Sequence, residues 1–437
     1  MNLNFETDGV NFNSKGKIDE IATPIHICRD MSNLFDYTNC NQKIWMDIFC
    51  KTGNTLEALK ENSVSKNNIA AACNNKQSQM LVCRKLYGEL LPEIEVEITV
   101  KSLEAYKITR RGQVYWVSNW QDTVKNNYQD AYNIIKFVIL EEMEKTMKLE
   151  WNSDKEFQIN NIIMNPPYNN DIYLDFLKLA HTIASDNVVA ITPAKHYFLE
   201  NSAEYNKVNV DVLKHTDKMV FYQVEGEVFP ISLPSGVAYS LITKDESDTI
   251  EIKNISNYFN SFSSDFTTVS ISDMTFNVKA LSILHKIENK GFNIENTNMN
   301  KKYKVFSGKQ RYGLGGSSNK HRGIFYYDDK FMPGYVLTNP TIDTDSDNVG
   351  KTLVCINSFD TLEEAQSFVS YINSRFVRYL VGIAINAYGN AYVNGAWRFV
   401  PDPGKFDHIF TDAELYQKND LTPDEIAIIE SVIKERK

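Results

Sequence analysis

The chain has 437 residues, 43% of them hydrophobic and 23% charged: enough apolar material for two packed domains, and too little charge bias for disorder. Its net charge of -10, from 46 basic and 56 acidic side chains, excludes a protein coated in positive charge but leaves room for a local basic cleft. No run of about 18 apolar residues occurs, which excludes a membrane-spanning helix, and the polar opening MNLNFETDGVNFNSKGK lacks the apolar run of a signal peptide.

Taken in chain order, residues 1–20 read as a flexible lead-in. Thr23-Pro24 then suits a helix cap followed by a first-turn proline, with Ile27, Met31, Leu34 and Phe35 at helical spacing behind it. The apolar run 44–46 reads as a buried strand ending at Asp47, followed by a turn at Gly53 and a helix from about Asn54. Residues 67–90 repeat the order strand, polar turn, helix. Strands are expected at 113–119, 159–164 and 187–192, and helices at 126–148, 171–184 and 201–216. Such alternation points to βαβ units and a mostly parallel sheet, so the first half reads as a doubly wound α/β domain to about residue 245.

Beyond residue 245 the texture changes. Residues 245–280 are rich in Ser, Asp and Asn, and 301–345 in Gly, Tyr and Lys. A helix is expected over 361–382, opened by Thr361-x-x-Glu364, and two short helices close the chain. The second of these starts at the capping box Thr422-Pro423-Asp424-Glu425. This half reads as an α+β unit with a separate task.

Six cysteines, at 28, 40, 50, 73, 83 and 355, form no Cys-x-x-Cys pair and read as reduced, buried thiols of a cytoplasmic protein. The seven histidines are scattered singly, so no metal site is expected.

The chemistry-bearing motif is Asn165-Pro166-Pro167-Tyr168, directly after the apolar strand 159–164. An exocyclic amine on a nucleobase is a poor nucleophile, because its lone pair is delocalised into the ring. Accepting both of its N–H hydrogens localises that lone pair, which takes two acceptors held near 3 Å from the nitrogen. An asparagine side-chain oxygen and the next peptide carbonyl can serve. Two prolines stiffen the backbone and keep the Pro166 carbonyl out of a local turn, and an aromatic such as Tyr168 can stack on the base. The base must first leave the duplex, which hides its edge. In an open α/β sheet, ligands bind beyond the carboxyl ends of the strands, which is where this motif falls.

With these segments in order, the chain resembles the gamma class of N6-adenine DNA methyltransferases of restriction–modification systems. In that class a Thr-Pro segment, a cofactor turn and Asn-Pro-Pro-Tyr precede a C-terminal recognition domain. The match covers most of 22–245, and the tail FDHIFTDAELYQKNDLTPDEIAIIES also resembles the ends of restriction-associated methylases. The resemblance implies a Rossmann-like methyltransferase domain over 21–245, an α+β DNA-recognition domain over 246–437, and S-adenosyl-L-methionine as cofactor.

It implies that Thr23 and Pro24 contact the methionine end of the cofactor. The segment from Asp47 through Phe49 to Gly53 would form the cofactor loop, in which Ile48 replaces a proline and Lys51 the first glycine of the family pattern. Asn74 stands where a ribose-binding carboxylate is expected, and Asn119 near the cofactor's adenine ring. Phe229, in Val228-Phe229-Pro230 before the apolar run GVAYSLI, would pack against the flipped base.

Residues 301–334 hold eight basic and two acidic residues, with Tyr303, Phe306 and Tyr312 between them. Arg311, Lys320 and Arg322 are the candidates for phosphate and base-edge contacts. The expected partners are double-stranded DNA and, acting separately, a cognate restriction endonuclease. The alternatives are N4-cytosine, RNA or protein-amide methylation, and a non-catalytic DNA-binding or specificity subunit, the last suggested by Lys51 and Asn74.

Overall fold

The computed structural model describes residues 22–88, 96–100, 103–107, 113–140, 143, 158–197, 212–222, 228–229, 236–254, 265–271, 280–292, 301–308, 326–327, 330–331, 336–337, 340–343, 353–385 and 397–436. Its first half is built on strands β1 (Trp45–Cys50), β2 (Ile69–Cys73), β5 (Val114–Val117), β6 (Ile159–Met164) and β7 (Ala184–Pro193). These pair in parallel, in the order β7-β6-β1-β2-β5. Antiparallel strands extend both ends: the hairpin β3 (Val96–Val100) and β4 (Leu103–Lys107) beside β5, and β9 (Val237–Ile242) between β7 and β8 (Thr216–Tyr222). The sheet runs on past residue 245, where β10 (Thr249–Asn254) and β11 (Thr267–Ser270) take its edge. Eleven strands of the described residues thus form one sheet.

Alternation along the strands sorts the core into two layers. In β2, Ile69, Ala71 and Cys73 face one layer and Ala70 and Ala72 the other; in β7, Val189 and Ile191 oppose Val188 and Ala190. Helices α1 (Ile25–Ser32), α2 (Asn54–Glu61) and α3 (Lys76–Tyr87) cover the first face through Ile27, Met31, Leu56, Leu59, Val82 and Leu86. Helices α4 (Trp120–Asn126), α5 (Tyr128–Asn133) and α6 (Tyr173–Ile183) cover the second through Trp120, Val124, Ala131, Phe176 and Leu177. Both faces of the parallel strands are therefore buried, which is why these strands read as continuous apolar runs. The fold is the doubly wound, Rossmann-like α/β architecture expected from the sequence.

A separate core gathers residues 280–433. Strands β12 (Tyr303–Gly308), β15 (Thr341–Asp343) and β16 (Leu353–Phe359) form an antiparallel sheet, and β13 (Tyr326–Tyr327) pairs with β14 (Lys330–Phe331). Helices α7 (Leu281–Lys286), α8 (Leu362–Asn373), α9 (Arg375–Ile385), α10 (Asp412–Lys418) and α11 (Pro423–Val432) pack with them around Phe368, Tyr371, Leu380, Trp397 and Ile429.

Several local expectations are corrected. Thr23 does not cap α1: the cap position is Pro24, with no side-chain hydrogen bond there. Strand β1 does not stop at Asp47 but reaches Cys50, with a register irregularity between the two. The helix expected over 126–148 starts earlier, at Trp120, and breaks at Asn127 (φ −143°, ψ 63°). It resumes as α5 and continues as a π-helical turn over Ile134–Ile139. The helix expected over 361–382 is two helices, because Ser374 leaves helical geometry (ψ 148°) and its Oγ accepts from the Val377 amide at 3.2 Å, capping α9. Most of 201–216 lies outside the described residues; 212–214 are helical and β8 begins at Thr216. Among the described residues, no helix is long and apolar enough to cross a membrane.

Candidate active site

Strand order reverses between β1 and β6. From β1 the chain builds outward through β2 to β5, and from β6 through β7 in the other direction. Parallel neighbours splay apart beyond their carboxyl ends at such a switch point, leaving a crevice. The turn after β1 and the Asn-Pro-Pro-Tyr segment after β6 border it, because β1 and β6 are paired in parallel, Trp45 with Asn161 and Met46 with Ile162.

Asn165 follows the last residue of β6 and is buried, as are Pro166 and Pro167. Its Nδ2 donates to Thr23 Oγ1 at 2.9 Å. Tyr168 is half-buried. Its hydroxyl donates to the Ile191 carbonyl on β7 at 3.1 Å, and burial pushes its phenol well above the usual range. The Tyr168 ring stands edge-on to Phe229 (centroids 6.2 Å, 71°) and to Tyr173 (6.2 Å, 80°). The structure thus brings together Tyr168 and Phe229, 61 positions apart in the sequence, with Phe229 itself buried.

The turn after β1 is braced from within. Asp47 is buried; its Oδ1 accepts from the Phe49 amide at 2.9 Å and its Oδ2 from Thr55 Oγ1 at 2.6 Å. Burial raises its carboxyl from 3.8 to about 6, against the pull of these bonds and of the Lys51 charge. Lys51 Nζ lies 5.3 Å from the centre of the Phe49 ring, and that ring packs edge-on against Phe176. Gly53 closes the turn at φ +79°, left-handed backbone that favours glycine, and starts α2. An added Cβ would only touch Val82 Cα at 3.4 Å, so the constraint there is conformational rather than steric.

Asn74 and Asn119 follow β2 and β5 at the same edge. Asn119 is exposed in left-handed backbone (φ 52°) at the start of α4, and its carbonyl accepts from the Thr123 amide at 2.9 Å. Asn74 is half-buried, one residue before Asn75, which caps α3 through the Ser78 amide at 2.8 Å. Arg311, Lys320 and Arg322 lie outside the described residues.

No protein-family model matches the chain, and no curated protein matches it. Among solved structures, the chain is similar to the type I restriction–modification methyltransferase subunit from Streptococcus thermophilus, at 12% identity and a TM-score of 0.36 over 57% of this chain and 50% of that one. It is also similar to a nuclease-deletion mutant of the Type ISP restriction–modification enzyme LlaGI in complex with a DNA substrate mimic (12%, TM-score 0.39, 65% and 29%). A third likeness is to the M protein of the type I restriction enzyme EcoKI (10%, TM-score 0.32, 51% and 46%). The chain spans half or less of the length of each, and likenesses of this strength identify no family.

The carboxyl edge fits a nucleoside cofactor in some respects and departs in others. A glycine in left-handed backbone opens α2, which permits close backbone approach, and amide side chains follow the next two strands. One departure is Lys51 in the turn, which lacks the backbone freedom of glycine; another is the lack of a carboxylate after β2, where an amide makes a weaker partner for ribose hydroxyls. Sequence reasoning missed Asn54 and Thr55, the residues that tie this turn to Thr23 and Asp47. Asn54 Nδ2 donates to the Thr23 carbonyl at 2.7 Å, a contact across 31 positions that no local pattern marks.

Proposed function

We propose that the chain is an S-adenosylmethionine-dependent DNA methyltransferase acting on the exocyclic N6 amine of adenine, within a restriction–modification system. The observation that carries this reading is the placement of Asn165-Pro166-Pro167-Tyr168 on the carboxyl side of β6, at the strand-order reversal and beside the Gly53 turn. Asn165 Oδ1 and the Pro166 carbonyl accept the two amine hydrogens, while Tyr168 and Phe229 hold the base. Thr23, Pro24, Asp47, Phe49, Gly53, Asn74 and Asn119 frame the cofactor side. When bound, S-adenosylmethionine supplies a methyl group on a positively charged sulfur. The chain's own contribution is to orient the amine in line with that methyl and to keep water out. The residues after 245, with the basic segment holding Arg311, Lys320 and Arg322, recognise DNA from which the target base is flipped, and a separate cognate endonuclease shares the sequence.

The direct test incubates the purified chain with methyl-labelled S-adenosylmethionine and genomic DNA, then digests the DNA to nucleosides. Label in N6-methyladenosine as its deoxy form supports the reading. Label in N4-methylcytosine as its deoxy form replaces the target base, and label appearing only in a parallel incubation with RNA replaces DNA as substrate. A second reading, a non-catalytic DNA-binding subunit, is favoured by Lys51 in the turn and by Asn74 in place of an acid. Calorimetric titration separates the two: no S-adenosylmethionine binding, with or without DNA, selects the subunit.

A further inference from the structure

We infer that Thr23 is a positioning residue that fixes which end of the Asn165 amide faces the target amine; this rests on the amine-methyltransferase reading above. The two ends of an asparagine amide have nearly the same shape, and only Oδ1 can accept a hydrogen from an amine. Packing alone therefore does not choose between the productive orientation and its flip; a hydrogen-bond partner must. Thr23 Oγ1, 2.9 Å from Nδ2, holds the amino end on its own side and so turns Oδ1 the other way. Both residues are only 4% exposed, so water replaces the contact only when the site opens locally. The hydroxyl acts here as acceptor from Nδ2; donation to Oδ1 instead would present the amino group to the substrate.

Thr23 is itself held. Its carbonyl accepts from Asn54 Nδ2 at 2.7 Å and from Cys28 Sγ at 3.7 Å. Asn54 Oδ1 accepts in turn from Lys85 Nζ, which also pairs with Glu57 at 3.0 Å. The hydroxyl thus serves the base side of the crevice and the carbonyl the helix that follows the Gly53 turn. One residue, 142 positions before Asn165, links the two halves of the site. This use of the side chain differs from direct contact with the cofactor's methionine end, the role the family resemblance implies for the segment.

The test compares Thr23→Val, which keeps the shape and removes the acceptor, with Thr23→Ser, which keeps the acceptor. Thr23→Ala takes the place of the valine variant if that chain does not fold. Nitrogen-15 spectra of the side-chain amides, with the Asn165 pair identified by its loss in Asn165→Ser, report solvent exchange of that amide independently of turnover. Slow exchange in the wild type and Thr23→Ser with fast exchange in Thr23→Val is expected. Steady-state methyl transfer should show kcat lowered about tenfold or more in Thr23→Val, within about threefold of wild type in Thr23→Ser, and KM for S-adenosylmethionine little changed in both. Unchanged amide exchange in Thr23→Val overturns the inference. So does an equal fall of kcat in both variants, or a raised KM at constant kcat, which returns Thr23 to the cofactor. A wild type that transfers no methyl group defeats the proposed function instead, and the amide exchange still decides the orientation.

Discussion

What Asn165 brings to the proposed reaction is an amide oxygen, on a side chain tied to Thr23. Replacing it with alanine should lower methyl transfer at least about 100-fold, the scale of removing one preorganised hydrogen-bonding group. Calorimetric affinity for S-adenosylmethionine should change little, and a parallel loss of cofactor binding would count against the assigned role. Asp47 gives a prediction of different kind. Its carboxyl stands at about 6 instead of 3.8, so the folded chain holds this proton more tightly than the unfolded one. Its contribution to stability is therefore greatest at low pH, falls as pH rises from about 4 to about 6, and is level above that. Denaturant unfolding of Asp47→Asn should lack this slope, a difference of about 3 kcal/mol at most; identical pH profiles for the two proteins would contradict the assignment. The motif residues themselves were legible because their chemistry depends on residue type: two prolines after an amide after a strand. Local spacing lets Thr23 read as a helix cap and the family resemblance as a cofactor contact; its hydroxyl instead bonds across 142 positions, a contact of which local spacing carries no trace.

At the scale of elements, the parallel strands and the helices between them were readable from apolar runs and turn residues, since burial on both faces leaves an unbroken hydrophobic signal. The hairpin β3–β4 and strand β8 went unread. Breaks inside helical patterns were also missed: Asn127 and Ser374 interrupt sequences whose apolar spacing continues through them. Gly236 shows what such elements demand. It enters β9 at φ +69°, and an added Cβ would meet the Tyr222 carbonyl oxygen at 2.5 Å. Gly236→Ala should destabilise the chain by roughly 3 kcal/mol, measured by denaturant unfolding; a loss below about 1 kcal/mol would mean the strand entry relaxes freely. The capping boxes were read correctly. Thr361 and Glu364 cap α8, and Thr422 and Glu425 cap α11, where Glu425 also pairs with Lys286 of α7 at 2.7 Å. Thr422→Ala should cost about 1 kcal/mol in the same assay, and an unchanged midpoint would show that the Lys286–Glu425 pair alone secures the helix start.

Across the whole molecule, the sheet packs its core along the strands and gathers most candidate site residues at its carboxyl edge. The strands sort their side chains into two buried layers, and most candidate site residues lie late in β1 or just beyond β2, β5 and β6, around the point where the order reverses. That arrangement explains why the first half was legible at low resolution and the second half less so. Parallel βαβ units impose a repeating pattern, whereas the core around Phe368, Leu380 and Trp397 is assembled from short antiparallel strands and helices with no common period. The central claim, that this chain methylates adenine in DNA through Asn165, is tested most directly by expressing it in a host free of other DNA methylation and sequencing that DNA with detection of modified bases. N6-methyladenine confined to one short sequence, and absent from cells expressing Asn165→Ala, is the predicted result. Unmodified DNA from cells that make the folded wild-type protein, or equal modification by the alanine variant, would contradict it.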